Sequence, residues 1–378
     1  MEEWKKYKIS DLTIMKNGKK RPSGAGQFPV YGGNGIMDYA DIHNAENTIV
    51  VGRVGAYCGN VYLCPEKCWV SDNAIAVFAN DLIDIKYLFY LMSSLDLHHM
   101  HIGGAQPLMT QDIIGGFEVS IPSLETQKKV TSILSSFDAK IELNRRINDN
   151  LEQQAQALFK AWFVDFEPFK DGKFVDSELG KIPEGWKVVE ANYFMTISKE
   201  SINPTKNPTR LYTHYSIPAF DEALTPEIQF GREIKSNKFL VYSGMTLFSK
   251  LNPRIKRIWF IDEASNNSIC STEFIPYKSL GANCYFLYCY LKSKMFYDQA
   301  MSLVNGATGS HQRFHPNETL KFLFAYKKEI VEEFNAIVTP TLKEMSKLSI
   351  ENRKLTRLRD TLLPRLMSGE LNINTITE

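Results

Sequence analysis

The chain has 378 residues, 44% hydrophobic and 23% charged, with a formal net charge of +1. That length allows two or three domains, and no run reaches the ~20 apolar residues of a membrane span. A near-neutral total excludes a uniformly basic nucleic-acid binder, so any such binding must come from local patches or from partners.

Met1 leads directly into Glu2-Glu3-Trp4, which is no secretory signal, and a cytoplasmic location is expected. None of the six cysteines forms a CxxC pair, and in a reducing compartment free thiols are expected. Cys58, Cys64 and Cys68 with His98, His99 and His101 match no common zinc spacing.

Residues 1 to about 120 mix short β-rich runs, such as NTIVVG and NAIAVF, with Gly- and Asn-rich turns. Lys16, Lys19, Lys20 and Arg21 cluster in KNGKKRPSGAG, where a flexible loop puts cations within reach of phosphates. A solvated surface loop is the alternative. Tyr31, Gly33 and Asn34 form a turn whose glycine allows close approach to another backbone. A helical run is expected over Ile83–Ser94. Asp72, Asp84 and Lys86 invite comparison with a nuclease set, but Asp84 and Lys86 read better as the start of that helix. Gln106 then sits in the glycine-preceded loop GGAQPLMTQDII.

Residues Leu124 to Phe163 carry no Gly or Pro, and Gln, Lys, Glu, Ala and Leu dominate. Apolar positions recur at steps of three and four in two runs, Val130, Leu134, Phe137 and Ile141, then Leu151, Ala155, Leu158 and Trp162, the stripe of a helix. Forty residues give a rod of roughly 60 Å. Its partner is expected over Glu333–Leu371, where Phe334, Ile337, Leu342, Met345, Leu348, Leu355, Leu362 and Leu366 repeat the stepping. Each stripe carries one Asn near its middle, Asn144 and Asn352. These either hydrogen-bond across an antiparallel seam and fix its register or face water. Pro340 is expected to start or kink the second rod and Pro364 to bend its end. The apolar rod ends (Leu151, Leu158, Phe159, Trp162 and Phe163 in one, Leu362 and Leu366 in the other) are either a protein-docking surface or packing against the rods' own domains.

Val164 to Gly185 is rich in Gly, Pro and acidic residues and reads as a connector. Residues 184 to about 326 again mix β-rich runs with turns, and a helical run is expected over Cys284–Ser302. This part carries its own basic cluster, Lys250, Arg254, Lys256 and Arg257 in SKLNPRIKRIW. It also carries a second glycine-preceded loop with Ser310, His311, Gln312 and Arg313. Gln binds adenine and Arg guanine through paired hydrogen bonds; alternatively the two Gln residues pin their loops to their own domains.

The two halves align in order. Trp4 matches Trp186 (separation 182), Thr48 matches Thr246 (198), and Val70 matches Ile269 (199). Tyr90 matches Tyr290 (200), Gln106 matches Gln312 (206), and the rods match at 208. A separation that only grows indicates a duplicated unit whose second copy has longer loops.

SELGKIPEGW (177–186), LEQQAQALFKAWF ending the first rod and RDTLLPRLMSGEL (359–371) ending the second carry a resemblance over essentially the whole chain. With VYGGNG (30–35) and the paired Gln segments, they resemble the specificity subunit of type I restriction-modification systems. The resemblance implies an α+β fold with two similar mixed α/β target-recognition domains. Two long antiparallel coiled-coil helices, related by a pseudo-twofold duplication, would separate and join them. The boundaries then read 1–121 and 184–326 for the domains, 122–163 and 327–372 for the helices, 164–183 for the connector and 373–378 for a tail.

The same resemblance implies a non-catalytic reader of double-stranded DNA. Each domain would take one half of a split, asymmetric site, with half-site centres near one helical turn, about 10 base pairs, apart. Two methyltransferase subunits and restriction/translocase subunits would be its partners, with no membrane role. No cofactor is expected on this chain; S-adenosylmethionine, ATP and Mg would bind the partners. The chain lacks an Asn/Asp-Pro-Pro-aromatic tetrapeptide, a GxxxxGK[ST] loop and GxGxxG, which argues against a fused methyltransferase or nuclease. A protein-only coiled-coil scaffold is the other rival.

Overall fold

A computed structural model describes residues 4–102, 107–304 and 313–371. It divides into two units, Met1–Glu142 with Lys354–Glu378, and Leu143–Arg353. The first begins with β1 (Lys5–Lys8), α1 (Ile9–Leu12), β2 (Thr13–Asn17), β3 (Phe28–Gly32) and β4 (Gly35–Ala40). It continues through β5 (Ala45–Gly52), β6 (Val61–Val70), β7 (Ala74–Ala79), α2 (Ile85–Ser94), α3 (Gln111–Gly115) and β8 (Glu118–Ile121). Six strands make one sheet in the order β2-β7-β5-β6-β3-β4, antiparallel except between β3 and β6. Successive residues of β5 point to opposite faces, and both faces are covered. Ile49 and Val51 pack with Tyr87, Leu88 and Leu91 of α2; Val50 packs with Tyr31, Cys64 and Cys68. That double burial explains why NTIVVG runs apolar instead of alternating. β1 pairs with β8 and closes the unit.

α4 (Leu124–Phe163) matches the predicted rod in both boundaries. The stretch after it folds more than a plain connector would: β9 (Phe174–Ser177) and β10 (Gly180–Pro183) form a hairpin whose turn places Gly180 at φ +88°, a left-handed conformation that favours glycine.

The second unit continues with β11 (Lys187–Glu190), β12 (Met195–Ile197), β13 (Ser201–Ile202), β14 (Leu211–Tyr215), α5 (Ile217–Ala223) and β15 (Glu227–Phe230). β16 (Lys238–Leu240), β17 (Met245–Ser249), β18 (Ile258–Ile261), β19 (Ser268–Cys270) and β20 (Phe274–Ser279) follow. α6 (Cys284–Lys292), α7 (Lys294–Ser302), β21 (Leu323–Tyr326) and α8 (Lys328–Met367) complete it. The single helix expected over Cys284–Ser302 is two, because Ser293 leaves helical geometry at φ −61°, ψ 151° and its Oγ caps the second by accepting from Phe296 N.

Topology shows the duplication. β12-β20-β17-β18 repeats β2-β7-β5-β6 with the same antiparallel pairings. β14 lies parallel to β19 and antiparallel to β15, as β3 lies parallel to β6 and antiparallel to β4. The counterpart of β6 is broken into β18 and β19, and β13 and β16 are added. β11–β21 repeats β1–β8.

Within each unit α4 and α8 run antiparallel. In the first unit Arg359 Nη1 meets Asp138 Oδ1 at 2.6 Å, and Val130 and Leu134 share a core with Leu362, Leu363, Leu366 and Met367. In the second, Phe159 and Phe163 pack on Phe334 at ring-centroid separations of 5.8 and 5.1 Å. Asn144, fully buried, donates through Nδ2 to Asn352 Oδ1 (2.9 Å) and Glu351 Oε2 (2.7 Å). The seam bond is therefore made.

The second rod differs from expectation at its prolines. It begins at Lys328, and Pro340 and Pro364 lie inside one continuous helix. Both sit at exposed positions, where solvent can serve the carbonyl that each proline leaves without a donor.

Candidate nucleic-acid interface

In the first unit the loop after β2 is tied down at its base. Gly18 N donates to Ala74 O and Lys19 N to Val70 O, both at 3.0 Å, while Trp69 Nε1 donates to Lys19 O at 3.3 Å. A Cβ on Gly18 would run into the Ser71 carbonyl, so only glycine allows this seat. The side chains of Lys16, Lys19, Lys20 and Arg21 remain exposed. Lys16 Nζ stands 5.5 Å from the centre of the Phe78 ring, and Arg21 pairs with Asp38 of β4.

Ser71 N donates to Tyr31 O at 2.9 Å, which joins this loop to the β3–β4 hairpin. Asn34 is exposed at the hairpin tip, and Gly33 is buried against Val54, Tyr57 and Asn73. Tyr31 does not act as the sequence suggested. Its ring is buried with Cys64 and Cys68, and burial, then Cys64, holds its phenol well above the usual range. A large aromatic on a strand between two covered sheet faces is recruited by the core.

Arg53, which sequence reasoning did not single out, is half-buried beside these loops. Arg53 leaves β5 between Gly52 and Gly55; its N donates to Asn73 O (2.9 Å) and its O accepts from Met109 N (2.8 Å). Gly55 N donates to Pro107 O at 3.1 Å. The chain leaving the Gln106 loop is thus stitched beside Arg53 and Gly33. The second unit repeats the stitch: Lys250 N donates to Glu273 O at 2.9 Å, and the Glu273 carboxylate holds Arg313 through Nε (3.2 Å) and Nη2 (3.0 Å). Asn73 and Glu273 are 200 residues apart, the same separation as Tyr90 and Tyr290. Arg53 and Lys250 are 197 residues apart, so no single offset marks Arg53 in the sequence. Gln106, Ser310, His311 and Gln312 lie outside the described residues.

The second basic cluster is not uniform. Arg254 is exposed. Lys256 turns back to donate through Nζ to the Lys292 carbonyl and lies 5.2 Å from the Tyr297 ring centre. Arg257 is buried and makes a two-pronged pair with Asp221, Nε–Oδ1 2.6 Å and Nη2–Oδ2 2.7 Å. Its partner on α5 is 36 residues away in sequence, which alternation of charge in the loop does not reveal.

At the rod ends Phe159 and Phe163 are core residues of the second unit, with Leu158 and Trp162 packed beside them, and Leu366 is a core residue of the first, with Leu362 beside it. Phe159, Phe163 and Leu366 are thus taken up by the rods' own domains, while Leu151, Leu158, Trp162 and Leu362 are half-buried. Asp84 caps α2, its Oδ1 accepting from Lys86 N and Tyr87 N at 3.0 Å each. Cys58 and Cys64 fall in different core clusters, and among the described residues no three His, Cys, Asp or Glu side chains converge to hold a metal. No helix among the described residues is long and apolar enough to cross a membrane.

Residues 1–153 match the family described as type I restriction modification DNA specificity domain. The specificity subunit of the type I restriction enzyme MjaIX of Methanocaldococcus jannaschii is 26% identical over 324 residues, covering 79% of this chain and 72% of that protein. The HindI specificity subunit of Haemophilus influenzae is 27% identical over 331 residues, 71% of this chain and 72% of that protein. Among solved structures, the type I restriction-modification S subunit from M. genitalium shares the fold at a TM-score of 0.59 and 17% identity, over 97% of this chain and 96% of that one.

Proposed function

We propose, from the premise that this chain belongs to the specificity subunits of type I restriction-modification systems, that its two similar units read the two halves of a split, asymmetric DNA site. The observation that carries the proposal is the repeated sheet order, with a strand-end cation (Arg53, Lys250) beside the chain leaving each glycine loop. Two copies of one reading module on one polypeptide suit a bipartite word, and the longer, altered loops of the second suit a different half-word. Exposed Lys16, Lys19, Lys20, Arg21 and Arg254 would hold phosphates; Arg313 and the Gln106 and Gln312 loops would face base edges.

On this reading the chain has no catalytic activity of its own. It would position two methyltransferase subunits and restriction/translocase subunits on the DNA. S-adenosylmethionine, ATP and Mg would belong to those partners, and the α4–α8 pair would set the gap between half-words. The work would be done in the cytoplasm, where the DNA is. The test is to map methylated adenines in the host with and without this gene. The expected result is one split motif that disappears with the gene. An unsplit motif, or a motif that survives deletion, would contradict the proposal.

A further inference from the structure

α2 and α6 are the elements through which each sheet meets the long helices, and each is held at both ends. At the start of α2, Asp84 N donates to Gln127 Oε1 of α4 at 2.8 Å. The Gln127 amide, fully buried, donates in turn to Leu82 O (3.2 Å) and Pro122 O (3.0 Å). At the start of α6, Asn283 supplies no side-chain cap, and Asn335 of α8 does so instead: its Oδ1 accepts from Tyr285 N (3.2 Å) and Phe286 N (3.1 Å). Gln127 and Asn335 are 208 residues apart, the separation at which the two rods align. In both copies a side-chain amide oxygen from the following long helix accepts from backbone N–H at the helix start: Gln127 anchors the N-cap residue Asp84, which itself caps α2, and Asn335 caps α6 directly.

Further along, a tyrosine and a cation grip a carboxylate. Tyr90 Oη donates to Asp138 Oδ2 at 2.5 Å, and Arg359 binds the other oxygen at 2.6 Å. In the second unit Tyr288 Oη donates to Glu152, and Lys292 Nζ reaches the same carboxylate at 2.9 Å. Burial, reinforced by the carboxylates, holds both phenols protonated, and such charge-assisted bonds are short and strong. One pin leaves a helix free to swing. Two pins, about 9 Å apart along it from Asp84 to Tyr90 and about 10.5 Å from Tyr285 to Lys292, fix its direction.

We propose that Gln127 and Asn335 are positioning residues: with the tyrosine–carboxylate grips they fix the angle of each reading domain on its helix, and thereby the gap length that the protein accepts between half-words. The inference rests on the split-site reading. Neither residue touches DNA in this role. Each acts through α2 or α6.

The test uses the full chain assembled with its methyltransferase subunits and a pool of duplexes that carry the wild-type half-words at varied gaps; bound duplexes are sequenced. The wild type should enrich one gap length. Gln127→Leu and Asn335→Leu should admit neighbouring gap lengths, raising their share by about tenfold, the bias of roughly one hydrogen bond, with both half-words unchanged. Asn335→Asp keeps an acceptor at the start of α6, where negative charge is favoured, and should retain the single gap. Leu variants that keep the single gap would overturn the inference while leaving the split-site reading intact. So would loss of binding at every gap together with a lowered melting temperature, or an Asp variant that behaves as Leu. A wild type with no preferred pair of half-words would remove the reading itself, and the inference with it.

Discussion

Arg254, Lys256 and Arg257 share one loop and one charge, yet they divide between solvent, an intramolecular carbonyl and an ion pair with Asp221 in which the arginine is buried. Charge clustering in sequence shows where cations are, but not which of them a fold takes for itself. Asp221→Ala should therefore cost on the order of 3 kcal/mol, the low end for breaking a buried pair because Asp221 is half-exposed, measurable by chemical denaturation. Lys19→Ala with Lys20→Ala should instead leave stability unchanged and flatten the dependence of DNA affinity on salt, by about 0.9 in logarithmic slope for each phosphate no longer neutralised. An unchanged slope would remove these lysines from the interface. His214, buried on β14 with Nδ1 2.8 Å from Gln229 Oε1, offers a pH test. Burial lowers its pKa below the usual 6.5, so the unfolded chain binds the proton first as pH falls. The stabilisation from keeping it neutral is complete above pH 6.5 and is lost as pH drops below that value toward the folded pKa. Melting temperatures taken from about pH 7.5 to 5 should fall less for His214→Gln than for the wild type.

The long helices were the most legible elements. An apolar stripe from Val130 to Trp162 inside a run without Gly or Pro reads as a helix, and α4 begins and ends where that run of helix-favouring composition does. α8 was legible in its periodicity but not at Pro340 and Pro364, since a missing donor on an exposed helix face is tolerated when packing on the opposite face, here Phe334, Val338 and Leu342, holds the helix together. The Asn144–Asn352 bond was one of two readings, and only burial decides between them. Replacing both with Leu should raise the melting temperature, because a polar pair on an apolar seam costs stability for register. A lowered melting temperature would show that the pair stabilises outright. The amide contacts of Gln127 with the start of α2 and of Asn335 with the start of α6 lie at the same offset of 208. An inward-turned Gln or Asn on a polar-rich helix looks, in sequence, like a surface residue.

At the scale of the whole molecule, duplication was visible as a separation growing from 182 to 208 along the chain, and the strand orders bear it out. What could not be read was the insertion of β13 and β16 and the splitting of β6's counterpart into β18 and β19. Those changes lie in segments of the second copy that have no counterpart in the first, so the internal alignment could not register them. The central claim is that each unit reads its half-word alone. Exchanging residues 1–121 for the first domain of a curated type I specificity subunit and sequencing the methylated sites tests it most directly. One half of the motif should change, while the other half and the gap stay as they were; a change in both halves would contradict the account.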